Sequence, residues 1–274
     1  MGMMTEDKKL HTFLVRAGGL AFECAEQGDP DGIPLVFLHG ITDSWRSFEA
    51  VLPHIDRRFR VLAISQRGHG ESEKPRFGYR TRDFAADLET LLPALDCDGA
   101  VLVGHSMGTA NAMRLVIDRP DLVRGLVATG AFARFSDKAD LVDYIRRSID
   151  TLSDPISPVF ATEFQQSTVA RPVAQAFIAR MVAQSLKVPV EVWKQAFAGL
   201  LEDDFSDHIH RITVPTLVLQ GTCDSMVPAS DTALLRSRLP HCQVTVWEGA
   251  GHAPHWEDPA GFAKLVEAFA AQFR

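Results

Sequence analysis

The stretch Ala100-Val101-Leu102-Val103-Gly104-His105-Ser106-Met107-Gly108 passes from an unbroken apolar run into a Gly-x-Ser-x-Gly turn, and a helical pattern over 107–118 follows at once. Strand, sharp turn and helix are the context this pentapeptide requires. A turn that tight strains the serine backbone, and side chains at the two flanking positions would collide. Glycine at 104 and 108 removes both collisions. The turn lifts a hydroxyl clear of the sheet, onto a helix N-terminus whose dipole and free N–H groups favour developing negative charge. The bland reading is a helix-capping serine. The apolar strand in front of it favours a nucleophile.

Working outward, short apolar runs recur at 34–38, 60–64, 125–129, 216–220 and 243–247. Between them lie helical patterns at 44–52, 81–95, 230–238 and 259–273. Strands that are apolar throughout are buried on both faces, as in a parallel sheet covered by helices. Two extended segments, 11–17 and 20–26, flank Gly18-Gly19 and predict an N-terminal hairpin. The expectation is an α/β fold with a mostly parallel, doubly wound sheet. Between 133 and 210 the alternation stops. Only helix-like segments occur there, at 137–152, 158–167, 172–186 and 189–200, punctuated by Pro155, Pro158, Pro172 and Pro189. This predicts a core formed by 1–132 and 211–274, with 133–210 as a helical insertion. Ligands of open α/β sheets bind beyond the carboxyl ends of the strands, where such an insertion would roof the site.

A serine hydroxyl needs a base with a pKa near the working pH, which points to histidine. Position selects among the ten histidines. His252 follows the last strand in Glu248-Gly249-Ala250-Gly251-His252, and the flexible Gly-Ala-Gly turn favours it over its rival, His255. The loop after 216–220 reads Gly221-Thr222-Cys223-Asp224-Ser225-Met226-Val227-Pro228, and Asp224 is its only carboxylate. Asp224 is the candidate to fix the imidazole tautomer, against the common alternative of an Asx-turn residue. An oxyanion needs two preset donors. The backbone N–H groups of Met107 and of Ile41, after His39-Gly40, are the candidates. His39 reads as a structural histidine, and Asp43 or Ser44 as the cap of the helix containing Trp45.

Composition narrows the functional classes. Lys and Arg number 28 against 35 Asp and Glu, a net charge of −7, which is a poor match to nucleic acid or an anionic membrane. Cys24, Cys97, Cys223 and Cys242 form no CxxC pair and no zinc spacing, so reduced thiols are expected. Residues 1–10 are charged and lack the apolar core of a secretory signal. Glu6 breaks the myristoylation pattern that Gly2 would open. No apolar run reaches membrane-spanning length, and a cytoplasmic location is expected.

These motifs together resemble the α/β-hydrolase superfamily. The segments are Phe37-Leu38-His39-Gly40, Gln66-Arg67-Gly68-His69-Gly70-Glu71-Ser72, Gly104-His105-Ser106-Met107-Gly108, Asp224 with Val227-Pro228, and Gly251-His252. They span nearly the whole chain, in an order specific to that fold. The resemblance implies an eight-stranded sheet and a helical cap. It is to the branch of carboxylesterases, lactonases, carbon–carbon bond hydrolases and cofactor-free perhydrolases. Haloalkane dehalogenases and epoxide hydrolases are similar but carry Asp at the nucleophile position, so Ser106 argues against both. Gln66 stands where relatives often have Asp, at a position that supports the loop.

The resemblance implies cleavage of a small to medium ester or lactone through an acyl-enzyme, with no metal or organic cofactor. Alternatives are a carbon–carbon bond hydrolase, a cofactor-free oxygenase, and a non-enzymatic ligand receptor or signalling partner. Candidate pocket residues are Trp45, Phe132, Phe164, Met181, Trp193, Phe197, Met226 and Trp256, although each such residue is more often plain core. No Lys or Arg cluster in the insertion points to an anionic substrate.

Overall fold

The computed structural model describes residues 8–273. The sequence readings on Gly2 and Glu6, and most of the reading of 1–10, lie outside them.

The described residues form one eight-stranded sheet in the order β1-β2-β4-β3-β5-β6-β7-β8. Its strands are β1 (Lys8–Ala17), β2 (Leu20–Gly28), β3 (Pro34–Leu38), β4 (Arg60–Ile64), β5 (Ala100–His105), β6 (Val123–Thr129), β7 (Thr216–Gly221) and β8 (Cys242–Trp247). β2 alone runs against the others, pairing antiparallel with β1 and β4. The remaining pairs are parallel. This is the α/β-hydrolase fold. The carboxyl ends of β3, β5, β6, β7 and β8 therefore share one edge of the sheet.

Alternate residues of the central strands feed two apolar layers, as a period of two requires. Leu35, Phe37, Val101 and Val103 pack with Phe262, Val266 and Phe269 of α9 (Pro259–Ala270). Val36, Leu38 and Leu102 pack with α1 (Thr81–Ala94) and α2 (Met107–Asp118). Burial on both faces explains why these strands read as continuous apolar runs. β8 departs from that expectation: it is the edge strand, and Val246 is 55% exposed.

The helix expected over 44–52 is instead two 3-10 turns, Trp45–Phe48 and Leu52–His54. Trp45, Phe48 and Val51 are buried at a spacing of three, which suits three residues per turn. Pro53 also lacks the N–H that an α-helix would need there.

Between β6 and β7 the chain forms α3 (Ala139–Tyr144), α4 (Pro158–Gln166), α5 (Gln175–Ser185) and α6 (Val190–Glu202). α3 widens into a π-helical turn over Ile145–Ile149. The outgoing and returning strands of this segment meet: the Phe205 N–H donates to the Ala133 carbonyl at 2.8 Å, and Arg134 pairs with Asp204. Its apolar side chains join the cluster that covers the α1–α2 face. α7 (Ala229–Arg238) and α8 (Pro254–Glu257) complete the helices named here. Among the described residues, no helix is long and apolar enough to cross a membrane.

Candidate active site

Ser106 sits between β5 and α2 with φ 52° and ψ −115°, a left-handed backbone uncommon outside glycine. Its N–H donates to the Thr129 carbonyl of β6 at 2.8 Å, which pins the turn to the neighbouring strand. The flanking glycines are needed for space. A Cβ on Gly108 would lie 2.1 Å from the Leu38 carbonyl oxygen, and one on Gly104 would lie 2.6 Å from the Thr109 Cα. Met107 is the first residue of α2, so its N–H has no acceptor within the helix.

The loops after β7 and β8 bring an acid and a base together. Nδ1–H of His252 donates to Oδ2 of Asp224 at 2.9 Å, with both side chains 2% exposed. Asp224 also accepts the N–H groups of Met226 and Val227, each at 2.9 Å. Burial opposes its charge, but the His252 charge, the His252 hydrogen bond and those two N–H groups outweigh it and hold the carboxyl below its ordinary range. Gly130, at φ 58°, makes room for the base: a Cβ there would lie 2.7 Å from the His252 ring. With Nδ1 protonated, Nε2 is the free basic nitrogen. It is buried and has no hydrogen-bond partner among the described residues. His252 and Ser106 line the same small cavity, of about 20 Å³, together with Gly40, Ile41 and Asp43. The hydroxyl and the imidazole therefore share a cavity without a direct hydrogen bond, as free active sites often do.

The rival His255 is fully buried behind this cavity, and its Nε2 lies 3.1 Å from Ser47 Oγ. Burial holds its ring well below the ordinary histidine range. His39 accepts the Gln66 N–H at 2.9 Å, and the Gln66 side chain donates to the His39 carbonyl and accepts from Asn111. Both residues thus support the loop after β3. Burial also pulls His105 down to about 3 and His69 down to about 4.

A second cavity, of about 260 Å³, meets the first at Ile41, Ser106, Phe164 and Met226. Phe135, Leu141, Phe197 and Leu200 give it apolar walls, and it reaches the surface at Asp140 and Tyr144 of α3 and at Ser167 and Ser225. Of the candidate pocket residues, Phe164, Phe197, Met226 and Trp256 line one or both cavities. Trp45, Phe132, Met181 and Trp193 line neither. Trp45 donates its indole N–H to Glu23, and Trp193 donates to the Ser185 carbonyl. Phe132 packs at a tilt against Phe135, and Met181 is wholly buried in the core.

Sequence reasoning gave no site role to four polar residues of the small cavity: Asp43, His105, Gln165 and Thr168. The cap expected at Asp43 or Ser44 falls on Ser44, which accepts the Arg46 N–H. Asp43 turns inward instead. Its Oδ1 accepts from Gln165 at 2.9 Å and its Oδ2 from Ser47 at 3.1 Å. Gln165 also reaches Thr42 and Ser185, so a buried polar network ties the loop after β3 to α4 and α5. The segment after α4 is fastened to the base loop as well. Glu257 accepts the N–H groups of Ala170, Arg171 and Gly251, and the Ala253 N–H donates to the Thr168 carbonyl.

Sheet order, strained serine and converging loops define an α/β hydrolase architecture. Residues 33–259 match the family described as alpha/beta hydrolase fold, and the chain belongs to that family. It is 29% identical over 264 residues to the 2-(acetamidomethylene)succinate hydrolase of Mesorhizobium japonicum, covering 93% of each chain. It is 30% identical to the non-heme chloroperoxidase of Streptomyces lividans, over 82% of this chain and 87% of that one. An esterase from Exiguobacterium antarcticum shares the fold at a TM-score of 0.86 and 21% identity, over 94% of this chain and 98% of that one.

Proposed function

We propose that this chain is a serine hydrolase acting on an uncharged carboxylic ester or lactone of small to medium size. The observation that carries the reading is the buried Asp224–His252 pair, whose free Nε2 opens on the cavity containing Ser106. In this mechanism Ser106 attacks the carbonyl carbon as Nε2 takes its proton. The developing oxyanion rests on the N–H groups of Ile41 and Met107. His252 then protonates the leaving alcohol, and water repeats the sequence to free the acid. The helices between β6 and β7 serve as a cap, with 133–210 as its extent.

The lining favours an uncharged substrate. Among the described residues, neither cavity at Ser106 is lined by Lys or Arg, while Asp43 and Asp140 face them. The relative from Mesorhizobium japonicum is named for a substituted succinate, which carries two carboxylates near neutrality. Nothing in these linings would balance such a charge.

The test is hydrolysis of a panel of p-nitrophenyl esters and lactones by the wild type and by Ser106→Ala. Turnover by the wild type and its loss in a folded Ser106→Ala protein is the expected result. Near-normal turnover in that variant would reject the mechanism.

A further inference from the structure

Thr42 directly follows Ile41, and its backbone is left-handed at φ 70°. Among the described residues, two other non-glycine positions share that region, Asp96 and Ser106. Ser106 is the nucleophile turn, and Asp96 follows the end of α1, where left-handed residues are common. Thr42 ends no helix, and a β-branched side chain makes a positive φ costly. Glycine would take this backbone freely, so the threonine side chain must contribute something here.

Each polar group of Thr42 is held by a different part of the molecule. The residue is fully buried. Its N–H donates to Nε2 of His69 at 3.2 Å, and Nδ1–H of His69 donates to the Arg67 carbonyl at 2.8 Å. Its hydroxyl lies 3.2 Å from Ser185 Oγ of α5 and accepts from Gln165 Nε2 of α4 at 3.4 Å. Ser185 gives its own hydrogen to the Met181 carbonyl at 3.2 Å, so the Thr42 hydroxyl is the donor between the two.

These bonds bear on the oxyanion donor. The Ile41 N–H shares a trans peptide with the Gly40 carbonyl and points away from it. That carbonyl accepts Nδ1–H of His39 at 2.7 Å and the Asp43 N–H at 3.3 Å. Asp43 lies just beyond the strained bond of Thr42. A Thr42 relaxed to negative φ would carry the Asp43 N–H off the Gly40 carbonyl. The hold on Thr42 therefore keeps the peptide of the Ile41 N–H fixed beside Ser106, where Ile41 lines both cavities. Part of that hold comes from α4 and α5, and α4 also supplies Phe164 to the walls of both cavities.

We propose that Thr42 is a positioning residue for ester cleavage. Its hydroxyl, bonded to Ser185 and Gln165, keeps the strained loop in the conformation that presents the Ile41 N–H to the oxyanion. This inference rests on the ester-hydrolase reading above. The helices between β6 and β7 then do more than roof the site, because they hold one of its two oxyanion donors in place.

The test measures hydrolysis of p-nitrophenyl acetate and butyrate by wild type, Thr42→Val, Thr42→Ser and Ser185→Ala. Valine keeps the shape of threonine and loses the hydroxyl. Thr42→Val and Ser185→Ala should each lower kcat by about tenfold or more with KM nearly unchanged, a part of the hundredfold or more that one lost oxyanion donor costs. Thr42→Ser returns the hydroxyl and should recover most of that loss. The second readout is inhibition by phenethyl trifluoromethyl ketone. Ser106 adds to its carbonyl carbon, His252 takes the hydroxyl proton, and the oxyanion formed needs the same two donors. Its Ki should rise in Thr42→Val and Ser185→Ala by about the factor that kcat/KM falls. Full activity in either variant would overturn the role of Thr42 and leave the ester reading standing. So would a fall in kcat with Ki unchanged, or a Thr42→Ser protein as impaired as Thr42→Val. The two variants cut one bond from opposite sides, so a single one that folds decides the matter. Unfolding of both would make the bond a purely structural one and overturn the proposal as well. No turnover of any ester or lactone by the wild type would overturn both readings.

Discussion

His252 gives its Nδ1 hydrogen to Asp224 at 2.9 Å, and this one bond leaves Nε2 as the basic nitrogen. An amide at 224 can offer its N–H₂ instead, which favours the opposite tautomer. Asp224→Asn should lower kcat by about 10⁴-fold with little change in fold. Steady-state kinetics beside circular dichroism checks this; a loss under tenfold would remove Asp224 from its assigned role.

Gly108 has no room for a methyl group, because a Cβ would meet the Leu38 carbonyl oxygen at 2.1 Å. That oxygen is strand backbone and cannot swing aside. Gly108→Ala should destabilise by roughly 3 kcal/mol, as overpacking does, and displace Ser106. Thermal unfolding would show a Tm lower by about 6 °C or more. A variant as stable and active as the parent would contradict the packing described.

If the leaving alcohol occupies the larger cavity, narrowing it should select by alcohol size. Leu141→Trp places bulk in its wall. The kcat/KM for benzyl acetate should drop about tenfold, while methyl acetate changes little. Equal losses on both esters would count against this placement.

Four buried histidines set the acid limit of stability. Burial lowers His39, His69, His105 and His255, with His69 near 4 and His105 near 3. Below about 6.5 the unfolded chain takes up protons that these folded rings refuse. Stability is therefore whole above that pH and declines as pH falls toward the folded values, by up to about 1.4 kcal/mol per pH unit for each ring. Urea midpoints measured from pH 7 to 5 should fall steadily. A flat profile would mean that these rings are not held neutral.

Asp43 has the opposite sign. Its folded carboxyl titrates near 7, above the ordinary 3.8, so the folded state holds a proton that the unfolded state has lost. Its contribution is whole below 3.8 and lost as pH rises through 7. Relative to wild type, Asp43→Asn should gain in Tm between pH 5 and pH 8. A difference independent of pH would show that Asp43 is ionised throughout.

Legibility followed local patterning. β3, β4 and α2 stand at the expected residues because apolar runs, glycines and a serine turn mark them without help from distant parts of the chain. The loops of Ser106, Asp224 and His252 could be placed together because parallel strands put their carboxyl ends at one edge. The pocket was far less legible. Phe132 and Phe135 are chemically alike and three residues apart, yet only Phe135 faces the larger cavity. Nothing local separates a wall from a core residue. Asp43 and Ser44 were equally good caps by sequence, and only Gln165, more than a hundred residues away, reveals that Asp43 turns inward.

The three N–H groups held by Glu257 have a consequence for traffic through the molecule. A clasp on the His252 side means the roof cannot lift there without stripping the base loop of its support. The larger cavity reaches the surface at Asp140 and Tyr144 of α3 and also at Ser167 and Ser225, so passage to Ser106 does not require that clasp to open.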